Sequence, residues 1–246
     1  AITCADRCTV YLVLADGSEN HLTTDGKSDT VTVGYDFEIN CYGIVENNGG
    51  HICGENCGSI DINQTGSGNA VGMSYTATGG VIAVYGGNVD INANTYYAIN
   101  GITSSSGSTA DIKFLGGIVN VKSEKTAAIS GSENVYFDFG IINVYGGGNK
   151  AIYTVDNTNG NIYIDSLASV NIVADNNGYT LYGGSAIIKE PTSQGGEEVA
   201  LMKISNPNGL DVYLDGEEDA LLYKVHSDTD KNLYVFVDKS TPHTVK

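Results

Sequence analysis

Ile82-Ala83-Val84-Tyr85-Gly86-Gly87-Asn88-Val89-Asp90-Ile91 holds two short apolar triplets on either side of a Gly-Gly corner. The arrangement returns as Ile112-Lys113-Phe114-Leu115-Gly116-Gly117-Ile118-Val119-Asn120-Val121. It returns again as Val135-Tyr136-Phe137-Asp138-Phe139-Gly140-Ile141-Ile142-Asn143-Val144. Each triplet alternates with period two, so its outer members point to one side and its middle member to the other. Glycine at the corner supplies the positive φ that a sharp turn requires.

Working outward from this unit, the apolar–Asp/Asn–apolar element begins at Ile60, Val89, Val119, Ile142 and Val170, in steps of 29, 30, 23 and 28 residues. A small–aliphatic pair follows it at Ala70-Val71, Ala98-Ile99, Ala128-Ile129, Ala151-Ile152 and Thr180-Leu181, continuing at Ala200-Leu201 and Ala220-Leu221. The triplet before the corner also occurs as Ile162-Tyr163-Ile164. Three short strands in fixed order, repeated with a period between 20 and 50 residues, specify a solenoid. No helical periodicity intervenes, so each strand must pair with its equivalent about 4.8 Å away in the next coil. The reading is all-β: a right-handed, three-sided parallel β-helix. A single coil cannot bury its own apolar side, and stacking makes the core continuous.

The outer segments follow the same pattern. Thr9–Leu14, Thr30–Val33 and Phe37–Asn40 read as strands near the start, and Leu210–Leu214 and Leu233–Val237 near the end. Eight or nine coils are expected in one domain, 1–246, less regular from about 190. Residues 1–8 and 238–246 are expected to help cover the ends, because bare solenoid ends aggregate.

Composition narrows the functional classes. Hydrophobic residues make up 41% of the chain, enough for a core and too many for a disordered one. The net charge of −17, with Arg7 the only arginine, repels nucleic acid, anionic membranes and polyuronic acids. No segment approaches the roughly 20 apolar residues of a membrane span. The chain opens on Ala without a signal peptide, as a mature or excised module would. The five cysteines lie at 4, 8, 41, 53 and 57; an odd number leaves at least one outside any intrachain pair. Stacking as small residues, a local disulfide within a C-x3-C pair, and metal binding all stay open.

The segment Ala15-Asp16-Gly17-Ser18-Glu19-Asn20-His21-Leu22-Thr23, after the strand Val10–Leu14, resembles a bacterial family of β-helical proteins described as carbohydrate-binding-domain-containing. The small–aliphatic coils are similar to that family's as far as about residue 190. The resemblance implies an extracellular or cell-surface location and a polysaccharide or glycan as partner. The cysteines of the early coils and the prolines near the end depart from its pattern.

Catalytic signals are weak. A pectate lyase needs an Arg or Lys base beside calcium, and Arg7 stands at the end of the chain. A glycosidase needs two carboxyl groups placed across the scissile bond, and no Asp-Asp pair occurs. The polar features suit binding better. Tyr136 and Tyr163 are the outward members of successive triplets, and Tyr153 and Tyr182 follow the small–aliphatic pairs. Their rings could receive sugars, flanked by Asn143 and Asn171 of the Asp61, Asp90, Asn120, Asn143, Asn171 ladder. Both features also have plain structural readings, as rings shielding a sheet and amides bonding one another. Asp228-x-Asp230-x-Asn232 has the alternating oxygens of a calcium loop without its glycine and terminal glutamate. The function expected is a monomeric, non-catalytic extracellular module within a larger surface protein, binding neutral glycan or serving adhesion. A β-helical polysaccharide lyase or glycoside hydrolase, and a purely structural stalk, are the alternatives.

Overall fold

The structure is a computed structural model. It describes residues 1–4, 7–41, 45–47, 50–52, 57–74, 80–101, 110–148, 150–154, 161–165, 168–174, 179–182, 186–188, 202–204, 212–214, 223–227 and 233–237. The described elements are all strands, and they form a three-sided parallel β-helix.

Face 1 stacks Val10–Leu14, Phe37–Cys41, Gly80–Val84, Ala110–Phe114, the end of Ile129–Phe137, Asn161–Ile164, Ala186–Ile188 and Val212–Leu214. Face 2 stacks Glu19–Thr24, Ser59–Gln64, Asn88–Ala93, Ile118–Ser123, Gly140–Gly146, Ala168–Ala174 and Met202–Ile204. Face 3 stacks Ile2–Thr3, Val31–Val33, Val71–Met73, Ile99–Asn100, the start of Ile129–Phe137, Lys150–Thr154 and Tyr179–Tyr182. Every one of these pairings is parallel. The long strand Ile129–Phe137 rounds the corner from face 3 to face 1, with register shifts on both sides.

The register explains the core. Ile60, Val89, Val119, Ile142 and Val170 lie in one file, and Ile62, Ile91, Val121, Val144 and Ile172 in another, all buried. Each fully buried aliphatic side chain contributes about 1.5–3 kcal/mol relative to exposure. Phe114 and Phe137 stack inside, their ring centroids 5.2 Å apart. The corner between faces 1 and 2 explains the glycines of the opening unit. Gly87, Gly117 and Gly140 have φ of 99°, 86° and 101°, and stack on one another. A Cβ on Gly117 would lie 2.4 Å from the Gly87 carbonyl oxygen, so the site excludes every side chain on both counts.

The far end corrects one expectation. Leu233–Val237 is a strand, but it does not continue the coil. It pairs antiparallel with Met202–Ile204 and with Tyr223–Ser227. This antiparallel pair occupies the edge of face 2 beyond Met202–Ile204 and ends the run of parallel pairing there. At the other end Ile2–Thr3 covers face 3 alone, as a strand on Val31-Thr32. The expected covering role of 238–246, and the pairs Ala200-Leu201 and Ala220-Leu221, lie outside the described residues. Cys4 is disulfide-bonded to Cys8, the local C-x3-C pairing among the readings left open by the sequence, and Cys41 is disulfide-bonded as well. A short antiparallel hairpin, Val45–Asn47 with Gly50–Ile52, leaves the solenoid between face 1 and face 2 of the second coil.

Candidate functional site

The three outward faces differ in chemistry, and the six residues proposed from sequence are divided among them. Tyr136 and Tyr163 sit on face 1, Asn143 and Asn171 on face 2, and Tyr153 and Tyr182 on face 3. No single surface gathers them. Asp228, Asp230 and Asn232 lie outside the described residues. Among the described residues no three His, Cys, Asp or Glu side chains are grouped to hold a metal ion.

On face 1, cross-strand register places Lys113, Tyr136 and Tyr163 in one file. The tyrosine rings are stacked, with centroids 4.8 Å apart and planes 7° from parallel. The Lys113 ammonium lies 5.1 Å from the Tyr136 centroid, a cation–π contact, and 3.6 Å from the Asp111 carboxylate. Tyr136 therefore has a neighbour along the file in both directions. On face 3 the Lys150 ammonium sits 4.3 Å from the Tyr153 centroid. A sugar stacks on the face of an aromatic ring, and in Tyr136, Tyr163 and Tyr153 a ring face is already used by a protein group.

Face 2 is arranged differently. Its central file reads His21, Asp61, Asp90, Asn120, Asn143, Asn171, in strict register. Asn143 donates from Nδ2 to Asn120 Oδ1 at 2.8 Å, and Asn120 donates from Nδ2 to Asp90 Oδ1 at 2.6 Å. An amide has two N–H donors and an acceptor oxygen with two lone pairs, so a ladder of this kind leaves donor and acceptor capacity at each rung. At the other end His21 Nδ1 lies 2.8 Å from Asp61 Oδ2. The two adjacent carboxylates, Asp61 and Asp90, are thus each engaged with a different neighbour.

The files on either side complete this surface. On one side Ile118 and Ile141 are neighbours across the strands, 45% and 48% exposed, and together form a small contiguous apolar patch. On the other side Tyr145 is in register with Lys122, whose ammonium lies 5.3 Å from the ring centroid. The fourth and fifth complete coils thus set an aliphatic pair, an amide pair and an aromatic–cation pair side by side. Further along the same face, Asn63, Gln64, Thr65, Asn92, Ala93, Asn94, Lys122 and Glu124 line a groove of about 360 Å³.

Sequence reading found the ladder because the apolar–polar–apolar frame marks it. It missed Ile118 and Ile141, which precede that frame, and Lys122 and Tyr145, which follow it. The file position was the available signal: the residue before each frame and the residue after it point outward with its centre. It also missed His21, because Asn20-His21-Leu22 lacks the first apolar member. Comparison with family models, curated proteins and solved structures found no match to this chain. No helix among the described residues is long and apolar enough to cross a membrane.

Proposed function

We propose that this chain is a non-catalytic extracellular module that binds neutral glycan through face 2, in carbohydrate recognition or surface adhesion. The observation that carries this reading is the juxtaposition of Ile118 and Ile141 with Asn120 and Asn143. A sugar has apolar C–H faces and a rim of hydroxyls, so it needs an apolar surface with amides at its edge. The net charge of −17 favours neutral glycans over uronic acids. The resemblance of Ala15–Thr23 to carbohydrate-binding β-helices agrees with this and with a surface location. A shallow face supports weak binding, about −4 to −8 kcal/mol, or micromolar to millimolar. Repeated modules in a larger protein would raise it by avidity.

A glycan array tests the reading. Wild type is expected to retain a neutral glycan, and the double substitution Ile141→Ser with Asn143→Ala to lose it. Absence of binding to any glycan favours a structural stalk.

One observation favours the rival enzyme reading. Asp61 and Asp90 occupy the same file one coil apart, with His21 on Asp61. Neighbouring strands are about 4.8 Å apart, close to the roughly 5–5.5 Å between the carboxyl groups of retaining glycosidases. The Asp61 and Asp90 carboxylates are nonetheless committed to His21 and Asn120. Incubation with neutral polysaccharides is expected to release no reducing ends. Release abolished by Asp61→Asn or Asp90→Asn would establish the hydrolase instead.

A further inference from the structure

The groove on face 2 has a direction. Asn63, Asn92 and Lys122 are strict cross-strand neighbours, so three successive coils place one residue each along its floor. Thr65, Asn94 and Glu124 form the facing wall, one residue per coil, in the turn that follows each strand. The wall is held in step by backbone bonds between coils. Thr65 N–H donates to Thr24 O, Asn94 N–H to Gln64 O and Glu124 N–H to Ala93 O, each at 2.9 Å. The long direction of the groove is therefore the solenoid axis, and its chemistry repeats once per coil.

The groove also has an end. In the next coil the wall position falls in the run Gly146-Gly147-Gly148, where a Cβ on Gly147 would lie 2.0 Å from the Glu124 carbonyl oxygen. No side chain continues the wall. At the floor, Lys122 binds Glu124 at 2.8 Å and lies over the Tyr145 ring, closing the groove with a compensated ion pair.

Its donors and acceptors are amide groups. Asn92 donates from Nδ2 to Asn63 Oδ1 at 3.0 Å, and Asn94 from Nδ2 to the Thr65 carbonyl at 3.1 Å. These contacts leave the Asn63 amine and the Asn92 and Asn94 carbonyl oxygens with bonding capacity toward a ligand. Groups that both donate and accept, repeated at a fixed interval, match a chain of hydroxyl-bearing units with the same interval. An equatorially linked pyranose chain is a flat ribbon whose advance per sugar is close to the strand spacing of about 4.8 Å. An axially linked chain curves away within a few residues.

We infer that this groove is a subsite for a linear, β-1,4-linked neutral glycan lying along the solenoid axis, one sugar per coil over three coils. The inference rests on the glycan-binding reading above and adds, beside the Ile118–Asn143 patch on the same face, a subsite with a stated linkage, direction and length.

Titration calorimetry with β-1,4-linked glucose, mannose and xylose oligomers of increasing length tests it, with α-1,4-linked glucose oligomers as the curved comparison. In at least one β-linked series, affinity is expected to rise about tenfold from dimer to trimer and to level off beyond the trimer. Asn92→Ala is expected to weaken the trimer about fivefold or more, with an unchanged melting temperature reporting an intact coil. Lys122→Gln provides a second variant at the closed end, expected to extend the rise to longer oligomers. Equal affinity for the α-linked series, affinity independent of length, or indifference to Asn92→Ala overturns the inference. If neutral glycans bind on an array yet all three β-linked series fail, the groove inference falls and the glycan-binding function stands. If no glycan binds at all, both fall.

Discussion

Two ladders run along neighbouring faces of the solenoid, and they use their functional groups in opposite ways. On face 1, Lys113, Tyr136 and Tyr163 stack cation on ring and ring on ring. On face 2, Asp90, Asn120 and Asn143 are joined edge to edge by single hydrogen bonds. A ring has two faces, and stacking along the axis occupies them in turn. An amide keeps further donor and acceptor capacity after one bond in each direction. On the function proposed here, the aromatic ladder contributes mainly to stability and the amide ladder to recognition, although tyrosine is the more familiar sugar platform.

The largest test of this contrast sets the two aromatic pairs against each other, inside and outside the same strands. Phe137→Ala removes one ring of the buried Phe114–Phe137 stack and is expected to cost about 3–5 kcal/mol in denaturant unfolding. Tyr136→Ala, one residue earlier and half-buried, removes an aromatic pair worth about 0.5–1.5 kcal/mol. Similar costs at the two positions would mean that Tyr136 belongs to a second core and not to a surface.

Breaking the amide ladder comes next. Asn120→Ala removes the donor to Asp90 and the acceptor for Asn143 together, and is expected to cost about 1–2 kcal/mol. Asn120→Asp restores the size but places a carboxylate on the Asp90 carboxylate. Its penalty is expected to shrink when the pH is lowered far enough to protonate one of the pair. A penalty independent of pH would indicate that the file is held by backbone register alone.

The smallest effect sharpens the same comparison in a more buried setting. Asp29 accepts from the backbone N–H and the Nδ2 of Asn69, one coil on, as Asp90 accepts from Asn120. Burial raises the Asp29 carboxyl above its ordinary value, against the lowering effect of the two Asn69 hydrogen bonds. A raised folded-state value means that Asp29 favours folding fully below the unfolded value of about 3.9, and that this contribution is lost as pH rises through the folded value. Asp29→Asn is therefore expected to raise the melting temperature at pH 7, with the gain vanishing near pH 3. A loss of stability at pH 7 would show that the charge itself is needed by Asn69.

Much of this fold was legible because parallel coils repeat their chemistry in register. Ile91 and Val121 are buried where alternation puts them, and the corner glycines stack where the five-residue gaps place them. The division of the tyrosines among faces was written in the same pattern: Tyr136 and Tyr163 precede the glycine corner, whereas Tyr153 follows a small–aliphatic pair. What the sequence lacked was any mark of ring orientation, which decides whether a ring face meets a ligand or a neighbouring ring. The antiparallel pairing of Leu233–Val237 was also hidden, because an alternating strand reads alike in either direction. The groove was invisible for another reason. Thr65, Asn94 and Glu124 lie in turns of ordinary polar composition, and only coil-to-coil backbone bonding makes them a wall.

The most direct measurement is equilibrium binding of one neutral glycan to three proteins: wild type, Asn120→Ala with Asn143→Ala, and Tyr136→Ala with Tyr163→Ala. If recognition belongs to face 2, the asparagine variant loses about tenfold or more in affinity, while the tyrosine variant stays within about twofold of wild type. The reverse order, with affinity surviving loss of the amides and collapsing with loss of the rings, would contradict the assignment of stability to one ladder and recognition to the other.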